Sequence, residues 1–331
     1  MWAKTPDYDS LFFDYDVKVI QSRIIDFIIY CKNTRGLSPA AINLYTAALK
    51  KWYIQNDILT INWAKVNSYK PEFSRVVEDE AYTREQIQKM VSICDLRDKA
   101  LVLLLASTGC RIGSVPKLRL KDLVPIDEYD IYQITIYKKA KQQYISYCTP
   151  EARTAIDAYI SYRSQCGERL NDQSPLFRKR FNRLLPLEVS IVKPITTWVI
   201  YWALIQLLNK SGVRPTVKMT EGQRAPKRTQ LMISHGFRKY VISNFIRAKL
   251  EYNARERLVG HRKGLGLDQH YDRRPEEEIM AEYIKAIPFL TISREAQLEQ
   301  QINEMEQIRK DDLEELRNEI DGLKRAINNH H

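Results

Sequence analysis

Glycine is scarce in this chain, with 11 in 331 residues. None of them forms G-x-x-x-x-G-K-[ST] or G-x-G-x-x-G, so the backbone cradles that hold ATP phosphates or a dinucleotide are missing. Cysteine is rarer still, at 5. Cys31, Cys94, Cys110, Cys148 and Cys166 are odd in number, scattered, and without C-x-x-C spacing. That argues against a zinc ribbon or a disulfide framework and fits a reducing cytosol. No run of 18 apolar residues occurs, and the opening MWAKTPDYDS lacks the apolar stretch of a signal peptide. A cytoplasmic protein is expected, with no membrane partner and no cofactor of the nucleotide kind.

Other features are present in quantity. The length suits two globular domains with an appendage, and 44% hydrophobic residues can build a sizeable core. Lys and Arg number 52 against 41 Asp and Glu, a surplus of +11. Such a surplus fits a polyanionic partner, because displaced counterions drive binding to phosphates, although on charge alone a merely basic protein fits equally well.

Hydrophobic spacing organises the chain. From Tyr15 to about Lys65 it is helical: Val17, Ile20, Ile24, Ile25, Ile28 and Ile29 recur at helix intervals. Ser38-Pro39 reads as an N-cap with proline at the first helical position, and Ile42, Tyr45, Leu49 and Trp52 form the stripe of the next helix. A helical unit over 1–70 is expected, with a polar linker over 71–82 where periodicity is lost. Thr83-Arg84-Glu85-Gln86 is a capping box opening the second domain, 83–290. Residues 131–147 alternate on either side of a lysine-bearing turn and predict a β-hairpin. The remainder to about Lys285 is helical, apart from a long basic loop from Ser211 to Arg228. The fold class expected is mainly α with a small β-hairpin or sheet. The segment 291–331 carries an imperfect apolar stripe, and from 295 onward 10 acidic against 5 basic residues. It reads as an acidic amphipathic helix, either solvated or a coiled-coil partner.

Three short motifs carry chemistry. In Thr108-Gly109-Cys110-Arg111, a helix ends at glycine and an arginine follows, placed to grip a phosphate bidentately or to bridge domains. Another helical stretch, VPKLRLKDL, is expected after it. In Ser234-His235-Gly236-Phe237-Arg238, positions i and i+3 share a helix face, so His235 and Arg238 can converge on one anion. In Val259-Gly260-His261 the glycine marks a helix end and frees the imidazole, and Tyr271 follows ten residues later in the polar stretch DQHYDRR. Each motif is weak alone: an interdomain salt bridge fits Arg111, a surface pair fits His235 with Arg238, and Tyr271 is one of 19 tyrosines.

Taken in order, TGCRIGSVPKLRLKDL, the lysine-bearing hairpin, SHGFRKY, VGH and a following tyrosine resemble the catalytic signature of the tyrosine recombinase (phage integrase) family. The match covers 83–290, and the N-terminal unit resembles that family's helical core-binding domain. VGHRKGLGLDQHYDRRPEEEIMAEYIKAIPFLTI looks especially like integrases of archaeal viruses and other archaeal mobile elements. The resemblance implies a mixed α/β catalytic domain that cuts and rejoins DNA through a 3′-phosphotyrosyl link. Arg111 and Arg238 would hold the scissile phosphate, His261 would hydrogen-bond it, His235 would move a proton, and Tyr271 would be the nucleophile. The leaving 5′-oxygen needs a general acid. Lys141 is favoured, with Lys139 and then Lys138 as alternatives in the same turn.

The resemblance further implies no metal and no cofactor, since side chains supply the positive charge. It implies a double-stranded DNA partner with a specific attachment site, and a homo-oligomer on DNA: a dimer per site and a tetramer in synapsis. One departure is spacing, since the tyrosine stands one residue farther from the glycine-histidine than in bacterial relatives. The bacterial register would fall on His270, which makes no durable phosphotyrosyl bond. Two rival readings remain: a type IB topoisomerase that relaxes DNA, and a basic non-catalytic DNA-binding protein.

Overall fold

In the computed structural model the first helix, α1 (Val17–Asn33), starts where the Asp16 carboxylate accepts from the Lys18 backbone N–H at 2.9 Å. Such a cap satisfies one of the donors a helix start leaves open. The structure describes residues 16–72, 80–214, 233–261 and 275–295, together with positions 298 and 309. The chain divides into two units, Met1–Glu78 and Asp79–His331.

In the first unit, Ser38 caps α2 (Pro39–Gln55) with proline in its first turn, and Asn62 caps the short α3 (Trp63–Ser68). Ile20, Ile24, Ile25, Ile28, Ile42, Ile61 and Val66 make the core. The inward face of α2 departs from the expected stripe. Thr46 and Tyr53 are buried with Ile42, whereas Tyr45 is 45% exposed and Trp52 only partly covered. Burial of Thr46 costs little because its hydroxyl donates to the Ile42 carbonyl at 2.7 Å.

The second unit opens on the capping box: Gln86 N–H donates to Thr83 Oγ1, and Thr83 N–H donates to Gln86 Oε1. It starts α4 (Arg84–Val91). The following helix, α5 (Leu96–Thr108), is buried on every side from Ala100 to Thr108. A helix apolar all round belongs at the centre of a domain, and each buried leucine contributes about 1.5–3 kcal/mol. It ends at Gly109 in the left-handed region, φ 59°, whose N–H returns to the Leu105 carbonyl. The α-helix expected after Arg111 is not there. That stretch forms two 3₁₀ turns instead, Ile112–Lys117 and Leu120–Asp122, with Pro116, which has no N–H to donate, inside the first.

The expected hairpin is β2 (Ile131–Ile136) and β3 (Tyr144–Tyr147), paired antiparallel with Ile136 opposite Tyr144. A third strand, β1 (Leu123–Ile126), joins the free edge of β2 and carries Pro125, which an edge strand tolerates. Ile131, Ile134 and Ile136 are fully buried. Thr149 caps α6 (Pro150–Gln165), which packs on α5. At its end lies buried Arg163, which pairs with both oxygens of Glu168 and donates to the Pro175 and Leu176 carbonyls; Arg178 shares Glu168 Oε2 with it. After the short α7 (Pro186–Ser190) come α8 (Thr197–Lys210), α9 (His235–Arg247), α10 (Tyr252–Val259) and α11 (Glu276–Leu290). Tyr283 on α11 donates to the Ser107 carbonyl of α5, and Tyr240 on α9 to the Leu290 carbonyl, which locks α9 and α11 around the central helix. Among the described residues no helix is long and apolar enough to cross a membrane.

Candidate active site

Two helices end side by side. Gly109 terminates α5, and Gly260, at φ 65°, terminates α10. The α10 end is a Schellman turn: Gly260 N–H returns to the Arg257 carbonyl and His261 N–H to the Glu256 carbonyl. Glycine is required at Gly260 on two counts, because a Cβ there would also collide with the Tyr144 ring. Helix C-termini carry partial negative charge, and the side chain that meets both is Arg238.

Arg238 stands on α9, three residues after its start, and is 3% exposed. Its Nη1 donates to the Gly109 carbonyl at 2.8 Å, its Nη2 to the Val259 carbonyl at 2.6 Å, and its Nε to His261 Nε2 at 3.3 Å. Of the five guanidinium N–H groups, one on each terminal nitrogen remains for a further acceptor. Among the described residues no carboxylate pairs with it. Burial, and then the nearby charge of Arg111, lower its pKa from the ordinary arginine value. Arg111 itself is exposed, in extended backbone two residues after the α5 cap. Two like charges held this way repel one another, and an anion bound between them relieves that repulsion.

His261 is the third member. Its Nδ1 lies 2.9 Å from Glu256 Oε2. Since Nε2 accepts from Arg238, the network assigns the neutral ring's proton to Nδ1, which donates to Glu256. Burial, Arg238 and Arg111 push the imidazole pKa below its ordinary value, and Glu256 opposes them.

The hairpin reaches the same place. Tyr137, at one end of its turn, lies near Gly113, just past Arg111: a Cβ on that glycine would be 3.9 Å from the Tyr137 hydroxyl. Tyr144, at the other end, packs on Gly260; its hydroxyl is buried without a well-formed hydrogen bond, and burial raises its pKa. The turn between them holds the three candidate lysines. Lys138 is engaged, with Nζ 3.3 Å from Asp122. Lys139 sits at φ 63° with its backbone N–H held by Gln143, and its side chain is exposed, as is that of Lys141. Lys117 covers the Tyr137 ring at 5.5 Å.

The structure therefore brings together Arg111, Arg238, His261 and the base of the lysine turn. His235 is exposed at the first position of α9. Tyr271 and its one-residue alternative His270 lie outside the described residues, as do most of the basic loop and of the C-terminal segment. No group of three His, Cys, Asp or Glu side chains able to hold a metal occurs among the described residues. Sequence reasoning misses Glu256, Tyr144 and Lys117. Only Glu256 has a readable signal: a Schellman turn brings the residue five before the histidine back against it.

Comparison with known proteins gives the family. The phage integrase family matches residues 80–277. A tyrosine recombinase XerC of Leptospira interrogans is 22% identical over 245 residues, spanning 74% of this chain and 68% of that protein. The XerC of Haemophilus ducreyi is 23% identical over 177 residues, 51% of this chain and 56% of that one. Among solved structures, the Tn1549 transposon integrase in complex with transposon right end DNA superposes with TM-score 0.52 at 17% identity, covering 79% of this chain and 84% of its own. The XerH site-specific recombinase bound to its difH substrate gives 0.51 at 17% identity, covering 78% and 68%. The family match spans more than half the sequence and its range includes the two motif arginines and the two motif histidines: this chain belongs to the phage integrase family, the tyrosine recombinases.

Proposed function

We propose that the chain is a site-specific DNA recombinase, an integrase or excisionase, that cuts and rejoins double-stranded DNA through a 3′-phosphotyrosyl intermediate. The observation that carries this reading is Arg238: a buried guanidinium with no carboxylate partner among the described residues, held by two helix ends, with Arg111 and His261 beside it. Such an arrangement suits a phosphodiester, since charge developing on the non-bridging oxygens would meet donors already in place.

In this reading Tyr271 Oη attacks phosphorus and the bond from phosphorus to the 5′-oxygen breaks. The tyrosine proton passes toward His235, and the 5′-oxygen takes a proton from the hairpin lysine, Lys141 first and Lys139 second. Rejoining runs the same steps backward, so the phosphotyrosine conserves the bond energy and neither ATP nor metal is called upon. The body of the chain before residue 295 carries 47 basic against 31 acidic residues, which supports binding along a DNA backbone. Recombination joins two duplexes, so a dimer per attachment site and a tetramer in synapsis are the assembly that fits. An archaeal mobile element as its source rests on the resemblance of the stretch from Val259 to Ile292, and a DNA-associated cytoplasmic location on the same function.

The experiment is to incubate the protein with fragmented DNA from the cells that carry its gene and to sequence the protein-linked ends. Wild type should yield 3′-linked ends at one recurring sequence, and Tyr271→Phe none. Adducts from the phenylalanine variant, or none from wild type, would overturn the reading.

A further inference from the structure

His261 is held from two sides, and the two sides want different things of it. Arg238 Nε–H points at Nε2, which must accept, while the Glu256 carboxylate takes Nδ1–H. A ring in that state has no proton to offer a phosphate oxygen. It acquires one only as imidazolium: Nδ1 still donates to Glu256, and Arg238 Nε–H turns from Nε2 to the arriving anion, so that Nε2–H can donate to that anion beside it.

The charged and titratable groups around the ring settle when that happens. From α9 comes Arg238, from the loop after α5 Arg111, from β3 Tyr144 packed on Gly260, and from α10 Glu256. The two arginines oppose protonation of the ring, and Glu256 is the one anion favouring it among these groups. Glu256 is itself 8% exposed and is placed by the backbone: the Schellman turn that ends α10 closes from its carbonyl to the His261 N–H. Both groups are thus fixed relative to one another before any ligand arrives.

We propose that Glu256 is a positioning residue of this site: its carboxylate orients His261 through Nδ1 and stabilises the imidazolium that donates from Nε2 to the scissile phosphate, so that phosphate binding takes up a proton. This rests on the recombinase reading above for the identity of the phosphate. An anion laid across Arg238 and Arg111 offsets the two charges that oppose the second proton, and Glu256 alone holds the proton already on Nδ1.

Glu256→Gln keeps the shape of the side chain and an oxygen for Nδ1–H, and removes only the charge. Proton NMR of the full chain follows the ring directly, because just 5 histidines are present and the spectrum of His261→Gln identifies the signal. Sulfate serves as the probe, a tetrahedral oxyanion that does not titrate in the range used. In wild type, sulfate should raise the His261 midpoint. In Glu256→Gln the midpoint should lie below wild type, with and without sulfate. An unmoved midpoint in Glu256→Gln, or in wild type on adding sulfate, overturns the proposal; if the variant fails to fold, the wild-type sulfate arm still decides. On a nicked duplex carrying the recovered end sequence, the fall in adduct rate between pH 6 and pH 8 should be steeper for Glu256→Gln than for wild type, by up to about sixfold for one unit of displacement. Wild type that never forms an adduct would sink the recombinase reading instead, and would leave the NMR result to judge Glu256 by itself.

Discussion

Arg238 shows how much one side chain can be asked to do. It donates to two carbonyls that end different helices, sets the tautomer of His261, and keeps two N–H groups in reserve. Lysine carries the same charge but is a point donor, and it cannot fill that fork. Arg238→Lys should therefore lower single-turnover adduct formation by about 10²–10³-fold, measured at saturating DNA; a loss within about threefold would show that charge alone suffices. Glu168 plays the opposite part, an anion between two buried cations. Burial alone would raise its carboxyl pKa, yet Arg163 and Arg178 hold it below the ordinary carboxylate value. A carboxylate with a depressed folded-state value contributes stability that is complete above its unfolded pKa and is lost as pH falls through the folded one. Glu168→Gln should cost about 3–5 kcal/mol near neutral pH, with the gap to wild type narrowing in acid. Thermal melts at pH 7 and pH 3 check both.

At the scale of elements, the helix ends matter more than the helix bodies. The two left-handed glycines let α5 and α10 stop together and aim their carbonyls at one guanidinium. Gly260→Ala should cost about 1–2 kcal/mol for its backbone conformation, and more for the displaced Tyr144 ring. Denaturant unfolding should report that loss, and cleavage should fall with it; a variant as stable as wild type would mean the Schellman turn does not position the site.

Several elements are legible in the amino-acid sequence alone. Ser38-Pro39, Thr83 to Gln86, Gly109 and Gly260 are local signals whose physics needs no tertiary context, and the hairpin shows itself by alternation. The misses are tertiary in origin. The buried face of α2 takes in Ile42, Leu49 and Trp52 as residue type suggests, but Thr46, whose hydroxyl satisfies itself within the helix, replaces Tyr45 on it. Strand β1 is four residues long, holds a proline, and exists because β2 has an edge to offer. Of the site, the arginines and histidines can be placed in order along the chain, but Tyr144 and Lys117 become visible only when the hairpin is seen against the two caps.

The whole molecule joins a strongly basic body to an acidic last segment, and it groups its two motif arginines, a histidine and a lysine turn where one phosphate would be held. In the proposed reading every member of that group holds or stabilises the phosphate, and the bond to phosphorus is left to Tyr271. Cleavage therefore requires a nucleophile supplied from the segment after His261, and the proposed one is Tyr271. The direct measurement is to digest the trapped protein–DNA adduct with nuclease and protease and to locate the attached nucleotide by mass spectrometry. One modified peptide is expected, with the nucleotide's 3′-phosphate on the oxygen of Tyr271. Attachment at His270 or at any other residue, or a 5′-phosphate in the bond, would contradict it.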